Sequence, residues 1–398
     1  MGGGRQNNVS SDLILFFSRR IGLSDDGQAI PIVGGTRLSG RVGRFETGLL
    51  NIQQKRAGST PATNFSVLRL KRNILANSDI GFMAINKDES GSRYNRVLGI
   101  DANFRLRRNY YASGYFANTS SPLTKGKGRT GAGRVSAGYK VNLWDVRMSY
   151  VQIAPNFRDE VGYLPRVGIK NQNNHLGIHL RPERFKRWLR EIGPHVATEY
   201  NIGPDGKLDT RYMDYHVRFT FQDGAGGEIG MNPSYERITR PFTVSSFQVP
   251  VGSFGNDEWF VSGNTNTSRS NSVNGRWGTG PFYTGHKTGQ QVGAILRVSN
   301  RFNTQLNYNW NNFDMPGRKF SNKLASVRLN YAFSTIMFMN ALVQYNSDTR
   351  QVTSNIRFNI IHRPLSDIFI VYNERRDSAA HSLLDRALIA KVTYMVSR

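Results

Sequence analysis

Asp214 and His216 stand two residues apart in the run Met213-Asp214-Tyr215-His216-Val217. On an extended strand, positions i and i+2 project from one face, so a carboxylate there can orient an imidazole as a general base. Hydrolysis would also need a nucleophile or an activated water beside that base, where substrate and solvent meet. An ordinary hydrogen-bonded pair on a polar face has the same spacing, and that is the favoured reading; an enzyme is not the expectation. The 7 histidines stand at 175, 179, 195, 216, 286, 362 and 381, and among them the spacing of His175 and His179 is the nearest to a ligand pair. Four residues apart on a strand they share a face, but no carboxylate lies between them, so neither a metal site nor a cofactor is expected. The glycine-rich stretches Gly126-Lys127-Gly128-Arg129 and Gly224-Ala225-Gly226-Gly227 lack the strand-to-helix setting of a phosphate loop and read as loop and turn.

These residues sit in an alternation of period two that runs through most of the chain. Leu98, Ile100, Ala102, Phe104 and Leu106 alternate with Gly99, Asp101, Asn103 and Arg105. Val135, Ala137, Tyr139 and Val141 alternate with Arg134, Ser136, Gly138 and Lys140; Tyr215, Val217 and Phe219 alternate with Asp214, His216 and Arg218. The same pattern sets Leu306, Tyr308 and Trp310 against Asn303, Asn307 and Asn309, Val327 and Leu329 against Arg328, Ile356 and Phe358 against Arg357, and Ala390 and Val392 against Lys391. Each run is a strand with one apolar and one polar face. The runs are about ten residues long, as a tilted strand crossing a bilayer must be.

The links alternate as well. Arg107-Arg108, Ser299-Asn300, Ser334-Thr335 and the Pro-bearing His362-Arg363-Pro364-Leu365 are short, whereas the links at 119–132, 156–174, 239–257 and 312–322 are longer and polar. Tight turns on one rim and longer loops on the other are the signature of an up-and-down membrane barrel. The predicted fold is therefore all-β, a transmembrane antiparallel up-and-down β-barrel of about 18–22 strands. It forms one domain over 13–398 behind a flexible lead-in at 1–12, with its carboxyl end on the short-turn rim. Segment 181–192 places Phe185, Trp188, Leu189 and Ile192 at helical spacing among basic residues. It fits a short amphipathic helix or, the favoured reading, a strand end and a turn. A soluble sandwich would turn the apolar face inward; strand length, the unbroken succession of strands and the aromatics Trp144, Tyr150, Tyr308, Trp310, Tyr345, Tyr372 and Tyr394 favour the membrane.

Composition agrees with this. Of the 398 residues 38% are hydrophobic, and 53 Lys plus Arg stand against 28 Asp plus Glu, a net charge of +25. With no apolar run longer than about five residues, a helical span is excluded. The lack of cysteine excludes disulfides, thiolate zinc sites and thiol nucleophiles. So large a positive charge points to nucleic acid or to an anionic surface, but the basic residues are scattered in ones and twos without a basic tail. No export signal is visible in the first residues.

Several segments are similar to a known family. They are Phe16-Phe17-Ser18-Arg19-Arg20-Ile21-Gly22-Leu23, Gly34-Gly35-Thr36-Arg37-Leu38-Ser39-Gly40, Asn95-Arg96-Val97-Leu98-Gly99-Ile100-Asp101, Val161-Gly162-Tyr163-Leu164-Pro165-Arg166 and Ser354-Asn355-Ile356-Arg357-Phe358. Together they resemble an outer-membrane β-barrel domain of unknown function that usually follows a signal peptide and a carbohydrate-binding family-nine-like module. The resemblance implies a location in the bacterial outer membrane and a missing amino-terminal carbohydrate-binding module as partner.

The polar face then carries the function. Asp101, Asn103, Arg105, Arg134, Lys140, Arg218, Asn303, Asn307, Asn309, Arg328, Arg357 and Lys391 are expected to line a lumen. Basic walls favour anions, and amides suit hydroxylated solutes. The expectation is a channel, receptor or anchor for anionic or carbohydrate-like solutes, with outer-membrane lipid and lipopolysaccharide as partners of rim residues such as Lys125, Lys127 and Arg129. The alternatives are a membrane-embedded hydrolase and a soluble basic nucleic-acid-binding β protein, the latter without sequence-specific recognition.

Overall fold

The computed structural model describes residues 13–18, 21–24, 28–89, 92–124, 128–245, 247–364 and 366–395; the lead-in at 1–12 and Lys125 and Lys127 lie outside them. Among the described residues there are 25 strands and no α-helix. The chain forms two compact units, one holding residues up to 177 together with 197–211, the other holding 178–196 and 212–398.

In the first unit run β1 (Ile32–Val42), β2 (Phe45–Gln54), β3 (Thr63–Leu75), β4 (Ser78–Asp88), β5 (Tyr94–Leu106), β6 (Tyr110–Ser120), β7 (Gly131–Lys140), β8 (Trp144–Ile153) and β9 (Ile169–Ile178). From β1 to β8 each is antiparallel to the next. β10 (Leu189–Ile202) and β11 (Leu208–Phe221) contribute residues to both units and are neighbours in the sheet. The second unit continues with β12 (Gly226–Asn232), β13 (Ser234–Ile238), β14 (Phe242–Val244), β15 (Phe247–Val249), β16 (Gly252–Gly255), β17 (Glu258–Asn264), β18 (Asn271–Phe282) and β19 (Gly285–Arg297). It closes with β20 (Phe302–Met315), β21 (Arg318–Ala332), β22 (Met337–Asn346), β23 (Gln351–Arg363), β24 (Ser366–Asp377) and β25 (Leu383–Val392).

Two passes are interrupted. Pro233, which has no N–H to give to a ladder, separates β12 from β13. Asn256-Asp257 separates β16 from β17, yet the register runs on from Asn232 opposite Glu258 to Tyr235 opposite Gly255. With each broken pass counted once and the separate β14–β15 hairpin set aside, the number of passes falls within the expected 18–22.

The alternation read from the sequence appears as two distinct faces. Phe82, Ile100 and Phe116 lie side by side in register, and Leu98, Ile100, Phe116, Val135 and Met148 are between 56% and 68% exposed. Ile229, Trp259 and Val292 repeat this in the second unit. In water such a face would cost about 25 cal/mol per Å² of apolar surface left uncovered; acyl chains remove that cost. Trp144, Tyr150, Tyr308, Tyr345 and Tyr394 are exposed with it, while Trp310 lies under the Lys323 ammonium, 5.4 Å from its ring centre.

One expectation needs correction. The link at 312–322 is not a long loop, because β20 runs to Met315 and β21 starts at Arg318. Pro316-Gly317 makes the turn, with Gly317 at φ +73°, and the polar residues around it are ladder residues. Segment 181–192 follows the favoured reading, a turn and a strand end, and not the amphipathic helix: only Glu183–Phe185 is helical, as one 3-10 turn behind Pro182, and β10 begins at Leu189. The aromatics there pack instead of lining a helix face: Trp188 stacks on Phe221 at 6.0 Å.

Candidate functional site

β11 presents Asp214 and His216 on its polar face. The Asp214 carboxylate lies 2.8 Å from His216 Nδ1 and 3.5 Å from His195 Nε2 of the neighbouring β10. The two imidazole rings meet at 3.2 Å between centres, inclined at 68°. His216 is the most buried of the three side chains, at 6% exposure. Gly230 faces it from β12. A Cβ there would run into the His216 Cβ and the Tyr215 carbonyl oxygen, so only glycine fits beside this ring. The Phe260 ring edge closes the next strand at 6.1 Å, and Arg276 lies over Phe260 while bonding Glu258 at 2.7 Å.

With Nδ1 turned to the carboxylate, the buried Nε2 of His216 has no hydrogen-bond partner among the described residues. The arrangement brings together two imidazoles and a carboxylate. Sequence reasoning found Asp214 and His216 and missed His195. The usable signal was the turn Pro204-Asp205-Gly206, where Asp205 accepts the Lys207 N–H at 3.1 Å and Gly206 takes φ +75°. Folding the chain back there brings 195 beside 216. The pair His175 and His179 does not assemble into such a cluster: His179 Nδ1 bonds Glu191 at 2.7 Å, and Arg181 bonds the same carboxylate at 2.8 Å.

Other polar-face residues divide between the units. In the first, Asp101 accepts from Arg69 across the intervening β4, at Gly81, where a Cβ would lie 2.6 Å from both partners. Asn103 donates to Asp79 at 2.9 Å, Lys140 faces Asp145 at 3.4 Å, Arg105 is exposed and Arg134 is half-buried. In the second, Arg218 bonds Glu228 at 2.6 Å. Asn303 pairs with Asn330 at 2.8 Å, Asn311 with Asn322 at 2.9 Å and Asn355 with Asn373 at 2.5 Å. Asn307 and Asn309 lie on the same face between these pairs, and Arg328 stands opposite Gln305. The Arg357 guanidinium covers the Phe369 ring at 4.4 Å, beside Lys391.

The polar face of the first unit is also covered, which the sequence reading did not foresee. Val67, Ile85 and Val97 form one cross-strand row on it. They pack with Phe65, Val151 and Ile153 against Leu13 and against Phe157 and Val161 of the link 154–168. Ile14 exchanges backbone hydrogen bonds with Tyr163, and Phe17 N–H donates to Val161. Asn95, fully buried, donates to the Arg158 carbonyl at 2.8 Å and accepts the Glu160 N–H at 3.0 Å. Lys87 reaches Glu160 at 2.7 Å. Burial disfavours the Glu160 charge, but the bonds from Lys87 and Arg158 outweigh it and hold the carboxyl below its usual range. Gly162 of the Val161-Gly162-Tyr163-Leu164-Pro165-Arg166 motif lies so close to the Ile14 carbonyl that a Cβ would run into it.

Solved structures of this architecture exist. The siderophore receptor PirA from Pseudomonas aeruginosa aligns over 88% of this chain and 73% of its own, with a TM-score of 0.57 and 10% identity. The fold is that of the outer-membrane β-barrels. A mutant of the ferric enterobactin receptor PfeA from Pseudomonas aeruginosa gives 0.55 at 9% identity, over 89% of this chain and 73% of the receptor. No family model and no curated protein matches the chain. That fold, with an apolar face left exposed along its strands, makes this a protein of the bacterial outer membrane.

Proposed function

We propose that the protein is a receptor or passage for anionic and hydroxylated, carbohydrate-like solutes, held among outer-membrane lipid and lipopolysaccharide. The observation that carries this reading is the row of paired amides and guanidinium groups on β20 to β24. An amide has two N–H donors and an acceptor oxygen, more than the one bond within the Asn303–Asn330 and Asn355–Asn373 pairs uses, which suits sugar hydroxyls, and Arg328 and Arg357 add positive charge for carboxylate or phosphate. The carbohydrate part rests further on the family resemblance, and the receptor part on the likeness to receptors of the same membrane.

Planar-bilayer recording of the folded protein tests it. Anion-selective conductance that falls when a charged oligosaccharide is added is expected. A cation-selective pore, or conductance indifferent to every anionic and neutral sugar offered, would refute it.

A further inference from the structure

We propose that His195, Asp214 and His216 bind a divalent transition-metal ion of the zinc, nickel or copper class. Each of the three offers a ligand atom, and these atoms all lie within 4.8 Å of one another. Two imidazole nitrogens and one carboxylate oxygen make a donor set that borderline ions prefer, whereas calcium and magnesium take oxygen throughout.

Three further observations point to a ligand rather than to a plain polar contact. First, His216 Nδ1 stands 2.8 Å from Asp214 Oδ1 and His195 Nε2 stands 3.5 Å from Asp214 Oδ2, close to the separation of about 3 Å that ligand atoms keep around one tetrahedral zinc. Second, His216 is only 6% exposed, so little bulk water competes for its ligand position. Third, the ring stands in a gap that Gly230 keeps open, and its partner His195 comes from the adjacent strand, so two rigid elements position the ligands. Three protein ligands leave a coordination position for water or for a donor atom of a passing solute. The inference does not rest on solute passage and can stand or fall without it.

The experiment uses the full chain folded in detergent, stripped with a chelator and then given zinc or, separately, copper(II). One zinc per chain after gel filtration is expected, with no competition from calcium or magnesium. His195→Ala, His216→Ala and Asp214→Asn should each weaken binding by at least about 100-fold, and His179→Ala should leave it unchanged. Copper(II) should show nitrogen hyperfine structure from two imidazoles in the parent protein and from one in His195→Ala. Heat-modifiable migration on a gel reports folding of each variant; where an alanine variant does not fold, His195→Gln decides. Zinc well below one per chain, equal binding by all variants, or copper without nitrogen hyperfine structure would overturn the assignment.

Discussion

The polar face of β3 to β8 and that of β20 to β24 are built on the same alternation and finish differently. The first has apolar residues where polar ones are expected, Phe65, Val67, Ile85 and Val97, and a chain segment rests on them. The second keeps Asn and Arg at the equivalent alternate positions and meets solvent. Period two thus tells which face turns to lipid, while the few apolar residues on the opposite face tell whether that face is covered. Ion pairs follow the same division: Lys87 and Glu160 tie a link down onto the strands, whereas Arg218 and Glu228 only bridge adjacent strands.

The largest expected effect separates burial from lining. Phe157→Ala should destabilise the folded protein by about 3–5 kcal/mol in urea titration in lipid, because it opens a cavity among packed side chains. Asn309→Ala on the open face should stay within about 0.5 kcal/mol. Equal losses would show that the second face is packed as the first is. Next in size are two glycines. Gly230→Ala drives a methyl group into backbone and should cost about 1–3 kcal/mol, while Gly81→Ala meets only the movable ends of Arg69 and Asp101 and should cost less. Thermal unfolding ranks the two, and the reverse order would contradict the contacts described.

Acidification offers a smaller, reversible probe. The Glu160 carboxyl is held below its ordinary value when the link is docked. Its contribution is therefore complete above the unfolded-state value and lost as pH falls through the depressed folded one. Limited proteolysis of the link 154–168 should begin only below the ordinary carboxylate range, and Glu160→Gln should remove that dependence; release at neutral pH would speak against the docked arrangement. The smallest effects belong to single wall charges. Arg328→Ala and Arg357→Ala should each shift the bilayer reversal potential slightly toward cations, roughly additively, as separated sites do.

Much of the fold was legible in the sequence because lipid imposes its own signature: Leu98, Ile100 and Phe104 had to alternate with Gly99, Asp101 and Asn103 whatever the tertiary detail. Link length was less legible where asparagine stood for both loop and wall, as at Asn311 and Asn322. The site was half legible. Asp214 and His216 are neighbours along one strand, which spacing reveals, but His195 joins them across a hairpin, and that needs the register set by the turn at Gly206. The covering of the first unit was invisible to pattern analysis because it joins Leu13 to residues as distant as Ile169.

That distance has a kinetic meaning. Neighbouring strands find each other through short turns, but the cluster beneath the link 154–168 can form only after β3 to β8 have assembled and both Leu13 and Phe157 have returned to them. Contacts so far apart in sequence form slowly, since chain closure must precede any gain. Folding should therefore end with a separate slow phase in which the link docks, and between the two phases the protein is a finished sheet with an uncovered apolar patch, the interval in which a chaperone or a misplaced neighbour would find it.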